Sequence, residues 1–113
     1  MKGKEKEMKK VREMNGNERI AYRNIKAVFN WEVGGWYNCI QDSCPEYIPD
    51  TMDEAKQIVY DESVNDYADG GMFATGKAPK EMRFAGTEFI KECIDYLFSK
   101  DGDVAEIACE KGW

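Results

Sequence analysis

The chain has 113 residues, a net charge of −6 and no histidine, with 42% hydrophobic and 34% charged residues. This length is typical of one domain, and the composition is that of a globular protein with a well-solvated surface. Without histidine the chain lacks the usual general base of hydrolases and a common metal ligand. We therefore expect a non-enzymatic protein with no catalytic residues, no cofactor and no metal site.

The sequence contains no evident export or membrane-spanning segment. No apolar run approaches the ~18 residues that a membrane helix needs, and residues 1–10 lack the apolar core of a secretory signal. We expect a cytoplasmic protein without membrane contact, whose four cysteines are reduced thiols. Cys39 and Cys44 fit the spacing of a structural zinc pair only loosely, and a disulfide between them is the alternative. Nothing in the sequence indicates the oligomeric state.

Residues 1–14 are predicted to be a charged N-terminal arm, and residues 15–113 a single helical domain. The first helix is predicted to start after Asn17, a residue favoured at N-caps, with Glu18 in its first turn. Apolar residues then recur every three or four positions over about five turns, which is the helical period. These residues are Tyr22, Ile25, Phe29, Val33, Trp36 and Ile40.

Gly34 and Gly35 interrupt this apolar stripe. In a helix they would allow a kink or the close approach of a neighbouring helix. The alternative is a β-hairpin at residues 28–41 with a Gly-Gly turn, because apolar and polar residues alternate on both sides of the glycines. We prefer the helix, since the stripe begins well before the alternation and runs through it.

Three further helices are predicted in chain order. The second is capped by Asp50 or Thr51 and ends before Asp69; the third has Pro79 in its first turn and ends near Lys100. A short fourth helix is capped by Asp103 and ends at Gly112. The predicted fold is therefore all-α, a small bundle of three main helices plus a short C-terminal helix. The alternative is α+β, with the hairpin at residues 28–41.

A glycine-containing loop separates the second and third predicted helices. Its Gly71-x₄-Gly76-Lys77 spacing matches part of a phosphate-binding loop. Ala78 follows where that motif requires Ser or Thr, and no apolar strand precedes the loop. We therefore do not expect nucleotide binding.

Acidic residues are concentrated in the middle of the chain. Residues 42–69 hold nine carboxylates against one cation, Lys56, whereas residues 1–26 hold nine cations against four glutamates. Such segregation of charge indicates that the protein binds partners through electrostatic attraction. On the second helix Asp50, Glu54 and Asp61 can align along one side. The candidate partner-binding residues are this helix's carboxylates and three nearby aromatic residues that could anchor an interface: Asp50, Asp53, Glu54, Asp61, Glu62, Trp31, Trp36 and Tyr37.

Residues 17–31 (NERIAYRNIKAVFNW) and 33–38 (VGGWYN) resemble small orphan proteins of bacterial phages and conjugative elements. The resemblance implies a counter-defence or regulatory role, similar to that of anti-CRISPR and anti-restriction proteins. These families share no sequence signature, so the resemblance assigns no role to any residue.

We expect an acidic protein that inhibits a nucleic-acid-handling protein by occupying its basic surface. The partner would be a basic protein such as a nucleic-acid-binding enzyme. Because the chain is acidic overall, direct binding to nucleic acid is not expected. The alternative is an accessory or regulatory protein of a mobile element, acting on an unspecified protein partner.

Overall fold

A computed structural model of the chain describes residues 13–65 and 78–113, and every regular element within these two ranges is helical. The predicted all-α fold is confirmed. The hairpin alternative at residues 28–41 is wrong, because these residues lie inside one helix. The α-helices of the described ranges are α1 (Gly16–Gln41), α2 (Met52–Asn65), α3 (Ala78–Ala85), α4 (Thr87–Lys100) and α5 (Gly102–Lys111), and a short 3-10 helix (Pro45–Tyr47) lies between α1 and α2.

The first helix starts two residues earlier than predicted. Asn15, not Asn17, is the N-cap, because Glu18 stands three residues after it and completes a capping box. The Asn15 side chain accepts a hydrogen bond from the Glu18 amide (2.8 Å), and the Glu18 carboxylate accepts one from the Asn15 amide (3.1 Å). Met14, assigned by the prediction to the N-terminal arm, is buried in the core. Residues 1–12 lie outside the described residues.

The core is built around α1, against which the other four α-helices pack. Phe29 on α1 meets Phe98 on α4 edge to face, with ring centroids 5.1 Å apart. The buried Asn24 side chain donates a hydrogen bond (2.9 Å) to the Ser63 carbonyl, which ties the middle of α1 to the last turns of α2. The central helix thus fixes the position of α2, which carries most of the predicted acidic residues.

Gly34 and Gly35 lie within α1, and the helix continues through both. Among the described residues, a Cβ atom added at either position would have no neighbouring atom within 4 Å. None of the described helices therefore uses these glycines to approach α1 closely.

The predicted third helix is two helices, α3 and α4, separated by Gly86. Gly86 has a φ of 92°, which a right-handed helix cannot contain and which glycine adopts without a Cβ penalty. The predicted apolar stripe nevertheless holds on both sides of the break, since Met82, Phe89 and Cys93 are all buried. The break therefore interrupts the helix without removing the apolar face.

The last helix also starts earlier than predicted. The Asp101 carboxylate, and not that of Asp103, caps α5 by accepting a hydrogen bond (3.1 Å) from the Val104 amide. Val104 and Ile107 are buried, as the pattern predicts. Gly112 ends the helix in the left-handed conformation with a φ of 76°, which is the usual role of glycine at this position.

Candidate partner-binding surface

The orientation of α2 is fixed by its cap and by its buried side. Thr51 is the N-cap, since its hydroxyl accepts a hydrogen bond (3.1 Å) from the Glu54 amide. The Glu54 carboxylate in turn accepts one (3.2 Å) from the Asp50 amide. Ala55 and Val59 are fully buried. The opposite side of α2 must therefore face solvent.

Four carboxylates occupy that solvent side: Asp50, Asp53, Glu54 and Asp61, which together we call the acidic face. All four are exposed. Asp50 precedes the N-cap Thr51, and the other three lie on α2. At about 100° per residue, Asp53, Glu54 and Asp61 fall within an arc of roughly 100° around the helix axis. Glu62 is only half-exposed and lies about 80° beyond Glu54 around the axis, outside this arc. The structure thus brings together four of the five predicted carboxylates.

Lys56, the lone cation of the acidic segment, forms an ion pair with another helix. Its side chain is partly buried, its Nζ lies 3.1 Å from the Asp95 carboxylate of α4, and it stands 5.9 Å from the centre of the Phe98 ring. Its charge is therefore offset by Asp95, and of the acidic face Asp53 alone lines the same groove as Lys56.

Within the described ranges, Asp50 is the one member of the acidic face that forms an ion pair, since Lys111 Nζ lies 3.4 Å from its carboxylate. Asp61 accepts a hydrogen bond from the neutral Gln57 amide (2.9 Å). Within the described ranges, Asp53, Glu54 and Asp61 form no ion pair with a lysine or arginine. Within the described residues, three of the four charges are thus not neutralised by an ion pair.

The end of α5 holds the loop that leads into the acidic face. Trp113 Nε1 donates a hydrogen bond (3.1 Å) to the Pro49 carbonyl, and Lys111 Nζ donates one (3.2 Å) to the Pro45 carbonyl. Ile48, between the two prolines, is buried in the core. The N-terminal end of α2 therefore has a defined position relative to the rest of the domain.

The three predicted aromatic residues do not form one surface. Trp36 is 6% exposed and packs edge to face on Trp113, with ring centroids 6.4 Å apart. Tyr37 is half-buried and donates a hydrogen bond to the Glu106 carboxylate, which raises the pKa of Tyr37. Trp31 is 58% exposed and presents its ring on the surface of α1. Of the three, Trp31 is the one placed to contact a partner.

Two exposed aromatic residues were missed by the sequence analysis. Tyr47 is 72% exposed and Phe84 is 63% exposed. The sequence contained a hint of their exposure, since Tyr47 lies between Pro45 and Pro49 and Phe84 lies off the apolar stripe that contains Met82. Both residues are further exposed aromatic side chains, but neither belongs to the acidic face.

A groove of about 400 Å³ separates α2 from α4. Two lysines and two aspartates face each other across it, so their charges balance. The groove therefore adds no net charge to that of the acidic face. Its charged and polar lining includes Asp53, Lys56, Gln57, Tyr60, Lys91 and Asp95.

The four cysteines are separate thiols in the structure: Cys93 is buried, Cys109 exposed, and Cys39 and Cys44 half-buried. The described parts of the chain contain no cluster of three or more metal-ligating side chains, and none of their helices is long and apolar enough to cross a bilayer. The predicted glycine-containing loop with Gly71, Gly76 and Lys77 lies outside the described residues.

Comparison with models of protein families, with curated proteins and with solved structures finds no match to this chain.

Proposed function

We propose that the chain is a non-enzymatic binding protein whose acidic face occupies the nucleic-acid-binding surface of a basic protein and so inhibits it. The observation that carries the proposal is the arrangement of α2, which presents Asp50, Asp53, Glu54 and Asp61 to solvent on one side while Lys56 pairs with Asp95 on another helix. A coherent row of one sign of charge steers association with a surface of the opposite sign.

The charge density of the acidic face supports competition with nucleic acid. Asp53 and Asp61 are eight residues apart on α2, which is about 12 Å along the helix axis. Over the same length one strand of duplex DNA carries about three to four phosphates, at one per ~3.4 Å of axis. The three carboxylates of α2, Asp53, Glu54 and Asp61, therefore present a charge density close to that of one strand. A basic surface suited to phosphates would accept them.

The rigidity of the acidic face also supports the proposal. Three of its carboxylates stand on the capped helix α2, and the entry to that helix, which carries Asp50, is held by hydrogen bonds from Lys111 and Trp113. A pre-organised surface loses less conformational entropy on binding than a mobile loop does. The row of charges therefore keeps its spacing in the free protein.

Partners of this kind are most simply found in bacterial lysate, in keeping with the resemblance to proteins of phages and conjugative elements. The protein would be immobilised and its bound partners identified. A partner would then be titrated with duplex DNA while its complex with the protein is monitored. We expect DNA to displace the protein, and displacement to weaken as salt is raised, because DNA binding itself is salt-dependent. Simultaneous binding of DNA and the protein to one partner would contradict competition.

Trp31 supports a second candidate function, that of an accessory protein whose partner is held through α1. Large exposed aromatic rings are common anchors in protein interfaces, and Trp31 is 58% exposed. In that case Trp31→Ala would abolish partner capture, and neutralising the acidic face would not. Binding of these two variants to the same captured partners therefore distinguishes the two functions.

A further inference from the structure

The C-terminal end of α1 brings two cysteines together through a specific backbone turn. The Cys44 amide donates a hydrogen bond (2.7 Å) to the Cys39 carbonyl, and the Ser43 amide donates one (3.1 Å) to the Ile40 carbonyl. Ser43 between them has a left-handed φ of 63°. This pair of bonds around a left-handed residue is the Schellman motif. In that motif the side chains at the positions held by Cys39 and Cys44 often touch each other.

The backbone hydrogen bond limits how far apart the two cysteines can lie. With an N···O distance of 2.7 Å, standard backbone dimensions place the two Cα atoms no more than about 6.6 Å apart. Disulfide-bonded cysteines usually have Cα atoms about 4.4–6.8 Å apart. The turn therefore holds the pair within bonding range before any bond forms.

Accessibility separates this pair from the other two cysteines. Cys39 and Cys44 are both half-buried, so a small oxidant can reach them, whereas Cys93 is fully buried. Cys109 is exposed on α5, but no other cysteine is held to it by a comparable turn. The one thiol contact at present is weak, from Cys44 Sγ to the Asp42 carbonyl at 3.5 Å. A side-chain rotation would release that contact.

We propose that Cys39 and Cys44 form a redox-modification site, which closes to an intrachain disulfide with a low-molecular-weight disulfide such as oxidised glutathione. The thiolate of one cysteine attacks a sulfur of glutathione disulfide, and one glutathione leaves as a thiol. The second cysteine then attacks the protein sulfur of this mixed disulfide, and the second glutathione leaves. Two electrons and two protons pass from the cysteines to the two glutathiones. The product joins the end of α1 to the start of the loop before α2.

The test is a redox titration of the full chain in mixtures of reduced and oxidised glutathione, followed by alkylation of free thiols and peptide mapping. The same titration in urea gives the reference for the unfolded chain, in which the two cysteines are close in sequence but not held by the turn. We expect the folded protein to favour the Cys39–Cys44 disulfide at least about tenfold over the unfolded chain, equivalent to about 30 mV in potential. A smaller preference would overturn the proposal.

Two kinds of variant check the assignment. Cys109→Ser is the matched control, and it should leave the titration unchanged. Cys39→Ser and Cys44→Ser should each leave a remaining thiol that stops at the mixed disulfide with glutathione. Disulfide formation that requires Cys109, or that persists in either single variant, would show that the turn is not the site.

Discussion

At the scale of single residues, the structure separates glycines that the fold needs from glycines that it does not. Gly34 and Gly35 lie in the middle of α1 with open space where a Cβ would stand. Gly86 also has open space, but its φ of 92° is one that other residues rarely adopt. A glycine-to-alanine substitution should therefore have opposite effects on stability at Gly34 or Gly35 and at Gly86.

Replacing Gly34 and Gly35 with alanine should stabilise the protein. Each change should add about 1 kcal/mol to the free energy of unfolding, because glycine is unfavourable in helix interiors. Gly86→Ala, the matched control, should lower it, since the alanine would be strained. Urea unfolding monitored by circular dichroism measures both. A loss of stability in the Gly34→Ala and Gly35→Ala variants would show that α1 needs its glycines.

The buried Cys93 thiol predicts a pH dependence of stability. Burial, followed by the nearby Glu92 and Glu18 carboxylates, raises the pKa of Cys93 from 9.0 to about 12. The native state therefore holds this proton more tightly than the unfolded chain does. The resulting stabilisation is fully present below pH 9.0 and is lost as the pH rises towards about 12.

The free energy of unfolding should thus fall more steeply between these pH values in the wild-type protein than in Cys93→Val, which keeps an apolar side chain without a proton to lose. The comparison with the variant is needed because the pKa of Tyr22 and that of Tyr37 are also raised. Parallel pH profiles for the two proteins would contradict the assigned role of Cys93.

At the scale of helices, the apolar stripes were predictable, and so were some of the helix ends. The stripe of α1 is sustained over many turns, so it outweighed the short alternation that favours a hairpin. Thr51, Lys100 and Gly112 stand where the predicted ends allowed. The caps of the first and last helices were placed two residues late, at Asn17 and Asp103, because several residues nearby have equal local preference. Asn15 is selected by its reciprocal hydrogen bonds with Glu18. The break at Gly86 was missed because one glycine in a helix is a tolerable local penalty.

The packing of α1 on α4 predicts a large effect at one phenylalanine and a small one at another. Phe29 is 2% exposed and meets Phe98, so Phe29→Ala should lower the free energy of unfolding by about 3–5 kcal/mol. Phe84→Ala on α3 makes the same chemical change at a ring that is 63% exposed, and should change it by less than about 0.5 kcal/mol. Chemical unfolding of both variants checks this difference. Equal losses would mean that α3 buries Phe84.

At the scale of the whole molecule, four of the nine carboxylates of residues 42–69 gather on the solvent side of α2 and its N-terminal entry. The sequence alone predicted that Asp50, Glu54 and Asp61 could align, because their spacing follows the helical period. It could not predict that Lys56 pairs with Asp95 or that Lys111 approaches Asp50, since these contacts join residues far apart in the chain. Nor could it show that Trp36 packs in the core while Trp31 stays exposed.

The most direct test of the acidic face is to neutralise the three charges that form no ion pair with the described part of the chain, without changing side-chain shape. The variant Asp53→Asn, Glu54→Gln, Asp61→Asn removes three charges from α2 and keeps groups that can still accept hydrogen bonds. Glu88→Gln, Asp103→Asn, Glu110→Gln removes the same number of charges from exposed positions on α4 and α5. Both variants therefore have the same net charge, and the comparison tests where on the surface the charge is removed.

The measurement is the association rate constant with a captured basic partner at two ionic strengths. We expect the α2 variant to associate at least about tenfold more slowly than wild type at low salt, and to lose most of its salt dependence, because the row of charges steers the encounter. The control variant should stay within about threefold of wild type. Equal slowing of both variants would show that only net charge matters, and wild-type association by the α2 variant would contradict a role for the acidic face.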